Sequence, residues 1–257
     1  CNSVGYTRNQ YYIRRKIAKR QGIEFERVKQ VNSQNNYAWF RSIDTQDKAY
    51  FLGLLAADGC ITPEVEGHSS KKLSLKLKAS DGYLVEKLCS YISPEREPIT
   101  VPYDGEKKFG YDCEDSVIWR ANSDMLVEDL LNLGLNYRKS YTGIAFPYSI
   151  DKDLYRHYIR GYFDGNGYIS VSYSKRDEKD VAVVAILSTD KIFLKDLESV
   201  LPVSSTIVDV TKSDRETSLF KLYVKRHWGL KMLKYYLYTD ADTFLHRKKE
   251  KFKAIPC

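Results

Sequence analysis

Few features of this sequence could crosslink it, and none is long enough to carry it through a bilayer. Its five cysteines, Cys1, Cys60, Cys89, Cys113 and Cys257, are odd in number, scattered and without a Cys-x-x-Cys pair. Neither a disulfide framework nor a zinc site is signalled, and reduced, structural thiols are expected. The four histidines, His68, His157, His227 and His246, show no metal-ligand spacing and read as structural or surface residues. No apolar run approaches the roughly 18 residues a membrane helix needs, and no apolar block or small-residue cleavage site follows the basic N-terminus. An intracellular protein with no membrane partner is expected, in the cytoplasm, the nucleoid or an organelle of the host. Cys1 in place of methionine reads as the start of a processed or trimmed piece.

What the chain does have is enough apolar content for a sizeable core: 257 residues, 43% hydrophobic and 29% charged. One large domain or two small ones would both suit that length. The net charge of +7 is confined to one region, because residues 1–43 hold nine cations against two acids while the remainder balances at 32 against 32. Arg14, Arg15, Lys16, Lys19 and Arg20 crowd into "YYIRRKIAKRQGI", a short amphipathic helix with Tyr12, Ile13 and Ile17 on one side. Such a basic arm is an electrostatic footprint for a polyanion, although a solvated tail has the same composition.

The rest of the chain is organised by a repeat. "FLGLLAADGCI" at 51–61 returns as "IRGYFDGNGYI" at 159–169, setting Gly53 on Gly161, Asp58 on Asn166 and Gly59 on Gly167 at an offset of 108. "LKLKASDGYLVEKL" at 75–88 then lies over "VAILSTDKIFLKDL" at 184–197 at an offset of 109. Each copy reads as helix, strand, strand, helix, strand, strand, helix, with alternating or buried runs for the strands and Gly134 near the end of the first copy's last helix. The predicted class is α+β: two tandem pseudo-symmetric αββαββα units with antiparallel sheets. The division expected is an arm or partial DNA-binding module at 1–43, a first half at 44–147 and a second at 148–257.

The recurring helix has a physical reason. Gly53 and Ala57 are four apart, as are Gly161 and Gly165, so each helix presents small residues on one face and two such helices can approach closely. Packed together, they would set position 58 beside position 166 at their C-terminal ends. A carboxylate there is disfavoured by the helix dipole and by any acidic neighbour, which makes sense if a divalent cation fills the gap. Two ordinary core helices with polar ends would show the same pattern.

Together, "AYFLGLLAADGCI" and "YIRGYFDGNGYI" resemble the two motifs of the LAGLIDADG homing endonucleases in their single-chain, intein-like form. The likeness covers about residues 44–257, with "LGLNYRKSYTGIAFP" similar to the segment before the second motif and "YLYTDADTFLHRKKEKF" similar to the family's C-terminal end. It implies a saddle of two four-stranded sheets over a long duplex DNA site, cut on both strands with Mg²⁺ or Mn²⁺ by a monomer, as part of intron or intein mobility. The metal-site residues implied are Asp58, Asn166, Gly59 and Gly167. Asn166 stands where the family has an acid, so double-strand cleavage is expected to be impaired. Asp164 is no substitute, since two residues turn a helix about 200°. A basic residue near the phosphate is implied at Arg120 or at Lys225, with Arg226 beside it.

Other residues follow by face. In "SLKLKAS" the leucines pack inward while Lys76 and Lys78 point to the expected groove. The counterpart "VVAILST" is far more apolar, which predicts asymmetric contacts. The arm resembles the recognition end of a helix-turn-helix or of small modules fused to such nucleases, and would add salt-sensitive phosphate contacts. A maturase that assists splicing of its host intron RNA, or a catalytically dead DNA-binding protein, are the alternatives. An intact intein is not expected, because the chain has no room for splicing halves and ends in "KAIPC".

Overall fold

The structure is a computed structural model and describes residues 34–63, 70–103, 114–175 and 178–255. Arg14, Arg15, Lys16, Lys19 and Arg20 lie outside the described residues. Gln34–Cys257 forms one compact unit, so both repeats share it together with residues 34–43. The reason is packing. Trp39 and Phe40 are buried, Trp39 stacks on Tyr91 with ring centroids 5.1 Å apart, and the Asn36 N–H donates to the Ile92 carbonyl at 2.8 Å.

The first repeat opens with α1 (Gln46–Asp58), capped by Thr45, whose hydroxyl accepts from the Lys48 N–H at 3.3 Å. It continues through β1 (Gly59–Thr62), β2 (Lys72–Lys78), α2 (Gly82–Ile92), β3 (Ile99–Val101), β4 (Ser116–Asn122) and α3 (Asp124–Asn132), then a one-turn α4 (Lys139–Thr142). The second repeat runs α5 (Tyr155–Asn166), β5 (Gly167–Ser174), β6 (Lys179–Ser188), α6 (Lys191–Val200), β7 (Thr206–Asp209), β8 (Phe220–Val224) and α7 (His227–Tyr238), followed by α8 (His246–Lys251). The strands form two antiparallel four-stranded sheets ordered β1-β2-β4-β3 and β5-β6-β8-β7. This is the αββαββα pattern twice over.

Alternation decides which face of each sheet is covered. Leu73, Leu75 and Leu77 of β2 are buried under α2 and α3, while Lys72, Ser74, Lys76 and Lys78 lie on the opposite, open face. Ala182, Val184 and Ile186 of β6 play the leucines' part beneath α6 and α7.

At the centre α1 packs along α5. A methyl group added at Gly53 would strike the Tyr158 carbonyl, and one at Gly161 would strike the Tyr50 carbonyl. Because 50 maps to 158 and 53 to 161 at the same offset, the contact is a pseudo-two-fold in which each residue meets its partner's equivalent. The small faces do what the sequence suggested. Ala49 to Ala57 are all buried, as expected of a helix apolar on every side.

Each repeat also ends by reaching across to the other. The Ile144 N–H donates to Asp190 at 3.3 Å, and that carboxylate presses on Gly143, whose φ of +75° only glycine adopts readily. In the equivalent exchange, Arg247 pairs with Asp81 at 2.9 Å, and the Tyr83 hydroxyl donates to the Phe244 carbonyl at 2.8 Å.

Candidate cleavage centre and nucleic-acid interface

Both motif helices stop in the same way. Gly59 (φ −67°, ψ 151°) and Gly167 (φ −92°, ψ 161°) turn the chain straight from helix into strand. Asp58 and Asn166 are therefore the last helical residues, side by side across the seam. A side chain at Gly165 would collide with Ala57 and come within 2.9 Å of an Asp58 carboxylate oxygen, so Asp58 lies against the last turn of α5. Although Asp58 reaches solvent, burial of its surroundings raises its pKa, an effect that Lys139, Lys248 and Arg247 oppose. The Asn166 amide donates to the Tyr162 hydroxyl at 3.2 Å.

Behind these two residues stand two lysines that the sequence reading did not single out. From α4, Lys139 donates to the carbonyls of Leu55 (3.0 Å) and Ala57 (2.5 Å) at the end of α1. From α8, Lys248 donates to those of Phe163 (2.7 Å), Asp164 (2.5 Å) and Gly165 (3.3 Å) at the end of α5. Each ammonium satisfies carbonyls a helix leaves unpaired and sits at the negative end of the dipole. Desolvation lowers both pKa values to about 8, with Asp58 pulling Lys139 back up and Asp164 doing so for Lys248. A signal existed: Arg138-Lys139 and Arg247-Lys248 are one dipeptide repeated at the offset of 109 that governs the second part of each copy, and Pro147 and Pro256 follow at the same offset.

Asp164 has a different task. It is buried and accepts from the hydroxyls of Tyr50 and Tyr238, both at 2.9 Å, and from the Leu245 N–H at 2.7 Å. Burial raises its pKa to about 6. It ties the C-terminal segment to the helix pair and is turned away from Asn166.

The two sheets differ at the level of the helix ends. In the first, the row next to Gly59 reads Cys60, Ser74, Arg120, so Arg120 lies on the open face one residue from the Asp58 level. In the second, the equivalent row reads Tyr168, Ala185, Tyr223, Thr206. Lys225 falls two residues further along, roughly 7 Å, with its ammonium 4.5 Å above the Tyr223 ring. Arg226 is exposed where the chain enters α7. Lys76 is exposed on the open face, and Lys78 there pairs with Glu114 at 2.9 Å. Beside Asn166 lies a cavity of about 320 Å³ lined by Lys139, Tyr162, Ser188, Asp190 and Arg215, the last from the β7–β8 loop and not anticipated from the sequence.

Among the described residues no three His, Cys, Asp or Glu side chains converge on a metal position. The donors present, one carboxylate and one amide, do not make a cage. They fit a hard divalent cation that completes its shell with water and phosphate oxygens, as Mg²⁺ commonly does.

Residues 153–244 match the sequence family described as the LAGLIDADG-like domain. Over 82% of this chain and 87% of the other, the fold superposes on the I-SmaMI LAGLIDADG homing endonuclease bound to cleaved DNA, with a TM-score of 0.53 and 11% identity. The meganuclease I-AabMI bound to uncleaved DNA gives 0.53 at 12% identity over 82% and 89%, and I-LtrWI bound to target DNA gives 0.52 at 14% over 86% and 90%. Residues 153–244 thus match a LAGLIDADG-like domain, and the chain has the two-unit fold seen in the single-chain LAGLIDADG homing endonucleases. In sequence it is also 24% identical, over 176 residues, to the Probable translation initiation factor IF-2 of Methanocaldococcus jannaschii, covering 65% of this chain but 13% of that protein's length.

Proposed function

We propose that the chain binds a long duplex DNA site along the open faces of its two sheets, as a monomer, and that its motif-helix ends form a metal-dependent phosphodiesterase centre whose double-strand cleavage is impaired. The observation that carries this reading is the arrangement at the seam: Asp58 and Asn166 end paired helices, with the half-buried Lys139 behind one and the buried Lys248 behind the other. When bound, Mg²⁺ or Mn²⁺ would supply an activated water and charge for the departing oxygen. Asp58 would be its anionic ligand, with the Asn166 carbonyl and the turns at Gly59 and Gly167 as the remaining neighbours. An amide oxygen carries no charge, so Asn166 would hold a cation only weakly. Lys139 and Lys248 keep positive charge next to the phosphates, and Arg120 adds charge on the first sheet only.

The test is cleavage of a duplex carrying the target, with Mg²⁺ and with Mn²⁺. Asn166→Asp should gain double-strand cutting, and adding Asp58→Asn should abolish it. Tight binding without cutting by either variant would leave a DNA-binding descendant of a nuclease. A second reading, assistance of an intron RNA, has one observation in its favour. The outer face of α7 exposes Trp228 (71%) and Tyr235 (63%) around Lys231, and α7 contains no acid. Competition between duplex DNA and structured intron RNA separates the two.

A further inference from the structure

The open faces of the two sheets are chemically unlike, and the difference runs along whole strands. On the first, β2 presents Lys72, Ser74, Lys76 and Lys78, and β4 adds Arg120 in register with Ser74. On the second, the open positions of β6 from Val181 to Leu187 are Val181, Val183, Ala185 and Leu187. They are flanked in register by Ser170 and Tyr168 of β5 and by Tyr223 of β8. Ala185 is only 1% exposed although it lies on the open face, where Tyr168 and Tyr223 are its register neighbours on either side. The ammoniums within reach, Lys221 and Lys225, sit over the Tyr223 ring at 5.4 and 4.5 Å. The partly exposed members of that row, Val181, Val183 and Leu187, carry only methyl groups and cannot read a phosphate or a guanine edge.

In the major groove, guanine offers N7 and O6 to lysine or arginine, whereas thymine offers a C5 methyl that pairs with apolar side chains. A β-ribbon fits that groove, and its open-face residues are the ones that meet base edges. Resting on the DNA-binding reading above, we infer that the target is asymmetric in base chemistry. The half-site under the first sheet is read through guanine acceptors by Lys76 and Arg120, and the half-site under the second through thymine methyls by Val183 and Leu187. Serine hydroxyls at Ser170 and Ser172 accept or donate with little base preference and leave that half's selectivity to the methyl contacts. Base selectivity in the second half is thus nearly independent of salt, its ionic contacts being left to Lys221 and Lys225 against the backbone, while in the first half the base-reading residues are themselves cations.

The experiment first edits the DNA and then alters one residue of each sheet. Duplexes are selected from a random pool with the full chain, and Lys76→Ala identifies the first sheet's half as the one whose guanine preference relaxes. Thymines are then replaced by uracil, which removes only the methyl, in one half at a time. The expected result is a loss of about fourfold in affinity per contacted methyl in the second sheet's half, the factor for one buried carbon, and less than about twofold in the other. In the first sheet's half, replacing guanine by 7-deazaguanine should weaken binding, and Val183→Lys should introduce a guanine preference at its position. Uracil tolerated equally in both halves, with duplex binding intact, overturns this inference and leaves the DNA reading standing. A pool from which no duplex is enriched overturns both.

Discussion

The two halves share a skeleton and differ on their faces. The skeleton repeats closely: a glycine against a tyrosine carbonyl, a lysine on the helix-end carbonyls, and an aspartate at the start of the second helix that receives the other half's tail, once through Asp81 and once through Asp190. The glycine and aspartate contacts join the two halves and the lysine contacts close each motif helix within its own half, so a change in any of them must be matched by its packed neighbours. What faces outward is under no such constraint. There Lys76 stands against the apolar run of β6, Arg120 against Tyr223, and Asp58 against Asn166. A duplicated fold conserves the packing that closes it and lets each half acquire its own chemistry.

Predictions that would break this comparison can be ordered by size. The largest concerns the carboxylate and the amide. In an Asn166→Asp background, Asp58→Asn should lower strand cutting at least about 100-fold, the scale of removing one preorganised group, as read from single-turnover gels. If the amide side cuts unaided, the asymmetry is only apparent. Next comes the boundary. Removing residues 1–33 should leave the thermal transition nearly unchanged, whereas removing 1–43 deletes Trp39 and Phe40, worth roughly 6–10 kcal/mol together, and should abolish cooperative unfolding. The shorter deletion should still flatten the salt dependence of DNA binding.

The third tests the pseudo-two-fold. Gly53→Ala and Gly161→Ala should each destabilise by roughly 3 kcal/mol in urea unfolding, and by similar amounts, because each methyl meets a backbone carbonyl in the same way. A large difference between the two would mean that the seam is less symmetric than its geometry. The fourth is a pH effect at Lys248. Its folded pKa of about 8 lies below the ordinary lysine value of 10.5, so the unfolded chain binds more protons between those limits and stability rises with pH across that window. Relative to Lys248→Met, the wild type should gain up to roughly 3 kcal/mol from pH 8 to pH 10.5, measured by urea titrations at each pH. A flat difference would place the ammonium in water. The smallest effect is ionic: Lys76→Ala should reduce the salt slope of duplex binding by about 1, and Val183→Ala should leave it unchanged.

How much of this was legible in the sequence depends on whether a feature is local. The repeat, the strand alternation and the small helix faces are periodic patterns and were read correctly, including Lys76 facing away from its leucines. That Trp39 and Phe40 join the core was not legible, because they lie outside the motif's periodicity. The clue was the triplet Ser42-Ile43-Asp44, which returns as Ser149-Ile150-Asp151 before the second motif helix. Lys139 and Lys248 were passed over because each sits 81 or 82 residues from the position it supports, in a segment whose own pattern says only that it is basic.

By itself, the sequence determined the paired architecture: a repeat with glycines on one helical face can bury those faces only against each other, and strands of period two can cover only one side. Tertiary structure alone decided which cations stand at the helix ends. Strand register placed Arg120 next to one end and Tyr223 next to the other, and chain crossing carried each lysine to a site far away in sequence. Register and crossing are set by packing over the whole unit, and no local stretch of sequence encodes them.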